Sequence, residues 1–201
     1  MKGLLRIILC TLVIELAAGG LMLSGSASGA GGGYSAPVAK TGQTEPYVTG
    51  DDGDLEKGLS PPSLRFTDNQ NGTVTDKLTG LVWLKDADCI GLRQWADAST
   101  QISSLNSGTN FSCDGYTAST YSDWRLPTPE ELTSLIDSGR FSPALPSGHP
   151  FTGVQNCHYW STTFASDTDF AWVVSMEDGF VGAHGKANTG AYYVWPVRGG
   201  Q

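Results

Sequence analysis

The chain has 201 residues, 39 % of them hydrophobic and only 16 % charged, with 26 glycines and a formal net charge of −8. That length holds one domain with its own core plus extensions, and the glycine content points to a turn-rich, strand-rich fold and away from a helical bundle. An acidic surface without a basic stripe excludes nucleic acid and anionic lipid as partners, and it counts against sulfated glycans.

The first segment reads as targeting. Lys2 and Arg6 precede a mostly apolar run from Ile7 to Leu23, and the small residues SGSASGAGGG follow. This is the layout of a secretory signal peptide over residues 1–30, cleaved after Ala27 or Ala30. The run is short for a spanning helix and is interrupted by Glu15, so an uncleaved anchor is the lesser alternative and no other membrane contact is expected. Cleavage leaves 10 basic and 19 acidic residues, a net charge of −9. The protein is then secreted, periplasmic or on the cell surface, where disulfides persist. Cys89 and Cys113 flank a helical segment and a Gly-containing loop and are paired, which leaves Cys157 free or buried. There is no CxxC, and three scattered His make no zinc pattern, so neither metal nor cofactor is expected.

Residues 31–62 read as an extended Gly/Asp-rich leader with the acidic knot GDDGD at Gly50–Asp54 and Pro61-Pro62. Such a knot could attract a hard cation, but its spacing fits no calcium loop, and a solvated leader is the better reading. The folded domain is expected over 63–201. Asn71-Gly72 between short β-prone runs predicts a hairpin, and Leu81–Leu84 a buried strand. Trp95, Ala98, Ile102 and Leu105 predict an amphipathic helix over 94–105, ended by Asn106-Ser107-Gly108.

The stretch DWRLPTPEEL, Asp123–Leu132, packs a Trp, an Arg, two Pro and two Glu together. Thr128 as N-cap, Pro129 at the first helical position and Glu131 three residues after the cap form a capping box. Leu132, Leu135 and Ile136 supply the apolar stripe, and Gly139 ends the helix. Trp124 and Leu126 are expected in the core, with Arg125 held by a carboxylate or carbonyl. Glu130 and Glu131 are accounted for by the helix start and need no catalytic role.

From His158 onward the pattern is β. Phe170–Met176 alternates, Asp178-Gly179 is read as a two-residue turn, and Phe180–Lys186 returns. That turn pairs Met176 with Val181 and Val174 with Ala183. Trp172, Val174, Met176, Val181 and Ala183 then form a core face, while Val173, Ser175, Glu177, Phe180, Gly182, His184 and Lys186 form an exposed one. Tyr192–Val197 is expected as a last strand. Cys157 and His158 are neighbours on a strand and point to opposite faces, and no GxSxG, P-loop or dinucleotide fingerprint occurs, so no enzyme activity is expected.

The phrases RFTDNQNGTVTDKLTGLVWLKDADC, DWRLPTPEELTSLID, ALPSGHPFTGVQ, YWSTT and YYVWPVRGG, with TGQT and GDDGDLEKG before them, resemble across residues 40–201 a bacterial family of domains of unknown function numbered 1566. That family is also described as the C-terminal domain of the Legionella collagen-like adhesin. The resemblance implies an α+β, C-type-lectin-like fold: a twisted, mostly antiparallel sheet with two helices and long loops. The same fold serves formylglycine-generating enzymes, to whose RLPT-x-x-E phrase Arg125–Glu131 is similar, but the paired catalytic cysteines of those enzymes are missing. The EPN and QPD sugar motifs of animal C-type lectins are also missing. The adhesin version binds host glycans as a trimer, but its collagen-like stalk does not occur in this chain.

The expectation is an exported, non-enzymatic binding or adhesion module that takes a glycan or protein ligand on the hairpin face through Val173, Ser175, Glu177, Phe180, His184 and Lys186. A divergent formylglycine-generating-type enzyme using Cys157, and a self-associating structural module (a homo-oligomer), are the alternatives.

Overall fold

The structure, a computed structural model, describes residues 39–108, 113, 115–117, 121–164, 168–187 and 192–200. The signal peptide read over residues 1–30 lies outside them. The fold is α+β, and its mostly antiparallel strands divide into two sheets.

The first sheet has the order β1 (Phe66–Asp68), β2 (Thr73–Asp76), β3 (Val82–Leu84), β9 (Val197–Arg198). The hairpin forms where Asn71-Gly72 predicts it, with a wider loop: Asp68 pairs with Val74, and Asn69 N–H donates to the Thr73 carbonyl at 3.0 Å. Gly72 is needed there. Its φ is +76°, and a Cβ would lie 2.4 Å from the Tyr116 backbone nitrogen. Trp83 and Leu84 of β3 are fully buried, as the apolar run Leu81–Leu84 predicts.

The second sheet has the order β4 (Leu92–Arg93), β8 (Tyr192–Tyr193), β5 (His158–Phe164), β6 (Phe170–Ser175), β7 (Val181–Gly185). The expected single strand Tyr192–Val197 is two short ones. The chain leaves β8 and crosses to β9 through Val194-Trp195-Pro196, so the C-terminal segment contributes a strand to each sheet. Trp195 joins them. Its ring meets Trp83 of the first sheet at 5.5 Å and Tyr159 of the second at 5.5 Å, and its indole N–H donates to the Leu84 carbonyl at 2.8 Å. A buried indole keeps its apolar body in the core only when the N–H finds an acceptor, and the crossover provides one.

Helix α2 (Trp95–Asn106) buries Ala98, Ile102 and Leu105, the predicted face. Its last residue anchors the next segment, since the Asn106 side chain accepts from Trp124 N–H and donates to the Trp124 carbonyl, each at 2.8 Å. Helix α3 (Pro129–Ser134) carries the predicted capping box on Thr128 and Glu131. It ends earlier than expected, with Leu135 as its C-cap, so Gly139 plays a different part. A Cβ there would lie 2.6 Å from the Gly42 carbonyl oxygen, where the leader passes.

That leader is not simply extended. Asp52–Leu55 forms one helical turn, α1, capped by the Asp51 carboxylate accepting from Asp54 N–H. Thr41 hydrogen-bonds Asp52, the Thr41 carbonyl accepts from Ser138 N–H at 2.8 Å, and Lys40 pairs with Glu56 at 2.9 Å. The acidic knot thus spends its carboxylates on hydrogen bonds within the leader: Asp51 on the cap, Asp52 on Thr41 and Asp54 on Gly50 N–H. Three backbone N–H groups, from Tyr47, Val48 and Asp54, point at Asp51 and hold its pKa below the usual carboxylate value.

The Cys89–Cys113 disulfide is present, with Cα atoms 5.2 Å apart. Cys157 is buried and is not a free thiol, so the spare-thiol alternative is corrected.

Candidate functional site

Strand register decides which side chains share a face of the second sheet. His158 pairs with Ser175, Trp160 with Val173, Ala171 with His184 and Val173 with Gly182. Tyr159 pairs with Tyr193, which sets Tyr192 on the opposite side, with His158. One face therefore collects Tyr192, His158, Trp160, Ser175, Val173, Ala171, Gly182 and His184.

The hairpin that forms this face differs from the expected one in register. Val174 pairs with Val181, where a two-residue turn would have put Met176. The loop is Met176–Gly179. Ser175 N–H donates to the Phe180 carbonyl at 2.8 Å, and Met176 N–H turns away to the Cys157 carbonyl at 2.9 Å. Gly179, at φ +80°, lies against Ile136 of the segment after α3, and Ser142 N–H holds the Glu177 carbonyl at 2.8 Å. Tertiary docking of this loop overrode the short-turn preference of Asp-Gly. The slip is two residues, an even number, so every side chain keeps its face.

Burial divides the expected site residues. Val173 is fully buried and Ser175 is 4 % exposed, so neither can touch a ligand, and both are corrected to floor positions. The Ser175 hydroxyl is turned to the hairpin loop, where it accepts from Glu177 N–H at 3.2 Å. The reason is that β6 is covered on both faces: Ala171, Val173, Val174 and Met176 are all fully buried, and α3 packs on β5 and β6. The run FAWVVSM has apolar residues in both rows, which suits a strand buried on both sides better than a half-exposed one. Conversely, Val181 is 39 % exposed and Ala183 is exposed, so the return strand does not extend the core face that alternation predicted.

Phe180, His184 and Lys186 follow one another along the same face of β7 and its ends, with Glu177 half-buried at the loop. The Phe180 ring is exposed and folds back over Gly182, where a Cβ would lie 2.5 Å from the ring and 3.5 Å from His184 Nε2. His184 Nδ1 and the Tyr192 hydroxyl share a hydrogen bond of 2.7 Å, with ring centroids 5.1 Å apart. His158 stands among them, 5.0 Å from the His184 ring, 5.3 Å from Tyr192 and 6.3 Å from Phe180. Lys186 Nζ lies 4.9 Å over the Trp95 ring, whose N–H donates to the Ser161 carbonyl at 3.0 Å. The result is a continuous aromatic and imidazole surface with one ammonium beside it.

Burial pushes the His158 imidazole below its ordinary pKa, and the neighbouring His184 adds to this, while Asp178 opposes it. Burial also raises the Tyr192 hydroxyl. At neutral pH the patch therefore holds a neutral His158 and a protonated Tyr192. These groups suit hydrogen bonds to hydroxyl and amide groups, and the rings offer flat apolar area.

Sequence reasoning missed His158, Tyr192 and Trp95 as members of this patch. His158 could be placed on a strand, but its face depends on pairing with β6, and Tyr192 enters through a parallel contact with β5 formed by a distant segment. Among the described residues no cluster of three or more His, Cys, Asp or Glu is arranged to hold a metal ion.

The class these features define is an α+β domain of two mostly antiparallel sheets, with a disulfide and a C-terminal segment shared between the sheets. More particularly, the chain belongs to the Lcl C-terminal domain family, whose model matches residues 72–198. It is thus a module of a bacterial surface, adhesin-associated family. A comparison with curated proteins found no match. No helix among the described residues is long and apolar enough to cross a membrane.

Proposed function

We infer that this domain is an exported, non-enzymatic binding module, and that its ligand meets the patch formed by Phe180, His184 and Lys186 with His158, Tyr192 and Trp95. The observation that carries the reading is the solvent-facing ring cluster itself. Phe180 is 51 % exposed, although a Phe contributes stability only when buried, and its neighbours are polar-tipped aromatics. Rings with hydroxyl and imidazole edges recognise pyranose faces and protein surfaces alike, so a glycan or protein ligand fits. The C-type-lectin-like fold that the family resemblance implies presents ligands on comparable surfaces, and the leading apolar segment supports export.

The test is a glycan-array and pull-down screen of the mature protein, with and without calcium, repeated with Phe180→Ala plus His184→Ala. Capture of a ligand that the double variant fails to hold is the expected result. Ligand capture unchanged in the double variant would place the site elsewhere.

A further inference from the structure

We propose that the cavity walled by Arg140, Phe141 and His149 is a second binding site, and that it takes a small organic carboxylate with an apolar or aromatic body. The segment after α3 encloses about 480 Å³ there, with Pro143, Leu145 and Pro146 completing the apolar part of the lining. That volume suits a small-molecule ligand.

Backbone hydrogen bonds fix the walls before any ligand arrives. Asp137 N–H donates to the Ala144 carbonyl at 2.9 Å, Ala144 N–H to the Met176 carbonyl at 2.8 Å and Ser142 N–H to the Glu177 carbonyl at 2.8 Å. Pro143 and Pro146 lock two further φ angles, so binding has little chain left to order. The same bonds tie the cavity to the loop between β6 and β7, but its lining shares no residue with the ring patch around Phe180. The two sites therefore stand or fall separately.

The chemistry of the lining selects the ligand. Phe141 is 72 % exposed, more than Phe180, and an apolar body laid on its ring would be removed from water. Arg140 supplies the charge. Its Nε lies 3.6 Å from Asp137 Oδ2, too far for a hydrogen bond, while Asp137 Oδ1 is taken by Gly139 N–H at 2.9 Å. Arg140 Nη1 and Nη2 donate to none of the described residues. Two parallel N–H groups on a planar fork match the two oxygens of a carboxylate. His149 adds no charge at neutral pH. Its ring is tilted on Phe151 at 5.8 Å, its Nδ1 is buried without a hydrogen bond, and burial lowers its pKa although the Phe151 backbone opposes this. Arg140 is then the one cation among the described lining residues, which matches a monoanion. A phosphate dianion would bring a second, unmatched negative charge to a chain already at −8.

Titration of the isotope-labelled mature protein with benzoate, followed by amide chemical shifts, tests it. The expected result is saturable shifts centred on residues 139–149, with a Kd on the order of 1 mM for so small a ligand. Benzamide has the same shape without the charge and should bind at least about tenfold more weakly, as should benzoate to Arg140→Gln, because each loses the charge-assisted pair. Phe141→Ala should weaken benzoate about threefold or more through the lost ring contact. Both side chains are exposed, and unchanged circular dichroism confirms that the variants fold. Benzamide or inorganic phosphate binding as well as benzoate, wild-type affinity in Arg140→Gln, shifts centred instead on Phe180, His184 and Lys186, or no saturable shift up to about 10 mM would each overturn the proposal.

Discussion

Arg125 and Glu131 form a two-pronged ion pair, with Nη1 and Nη2 at 2.7 and 2.6 Å from the carboxylate, and the same carboxylate accepts from Thr128 N–H at 2.8 Å. One side chain therefore both caps α3 and holds the arginine that donates to the Gly199 carbonyl at 3.0 Å. Through this pair the helix start and the C-terminal segment are tied together. Arg125 also bonds Val197 in both directions, at 2.9 and 3.0 Å, through its backbone.

Replacing Glu131 by Ala leaves the Thr128 cap but removes the other half of the capping box and the carboxylate partner of Arg125, and should cost about 2 kcal/mol, mainly the lost charge-assisted bonds. Burial alone would raise the Glu131 pKa, but the Arg125 fork and the Thr128 N–H outweigh it and hold it below the ordinary value. Its folded pKa is depressed, so the stabilisation is complete above the unfolded value of about 4.3 and is lost as pH falls through the folded one. Chemical denaturation at pH 7 and pH 3 should show a large gap between wild type and Glu131→Ala at the higher pH and a smaller gap at the lower.

His158 gives a different acid window. Its folded pKa is lowered by burial first and by His184 second. The unfolded chain binds a proton near pH 6.5 while the folded one does not, so stability declines as pH drops below about 6.5. Burial lowers His149 in the same way. The melting temperature should fall between pH 7 and pH 5.5, and His158→Gln should flatten that slope. An unchanged slope would show that His158 is as easily protonated folded as unfolded.

Gly182 leaves the space into which the Phe180 ring folds. Gly182→Ala should push that ring outward and cost about 1 kcal/mol, typical of a small overpacking. A ligand bound on the patch should lose affinity while the fold persists, read by titration alongside thermal unfolding. Equal affinity would remove the Phe180 ring position from the binding argument.

The Cys89–Cys113 bridge closes a loop with a sequence separation of 24. Cys113→Ser should lower stability by about 3 kcal/mol, from the chain entropy regained by the unfolded state. Urea unfolding of the variant, compared with wild type under oxidising conditions, checks the magnitude.

Local chemistry made much of the scaffold legible. The cap on α3 is written in Thr128, Pro129 and Glu131, and the α2 face in Ala98, Ile102 and Leu105, because both depend on residues within two turns of one another. The hairpin of β1 and β2 was legible for the same reason, though its wider loop was not. The site was legible only in part. Phe180, His184 and Lys186 belong to one face by strand parity, and an even register slip left that parity intact.

Burial was the point of failure. Alternation along Phe170–Met176 marks two faces but does not say that other elements cover both of them, so Val173 and Ser175 were read as surface. The division of Tyr192–Val197 between two sheets was equally hidden, because each short strand takes its partner from a part of the chain far away in sequence.

By itself, then, the sequence determined what short-range interactions decide: the caps, the apolar stripes, the turn glycines, the acidic surface and the family phrases. Only the tertiary structure decided which strands adjoin, which of their faces meet solvent, and that His158 stands beside Phe180, Tyr192 beside His184 and Trp95 under Lys186. These depend on contacts between distant segments, whose free energy comes from burying area that no local pattern specifies.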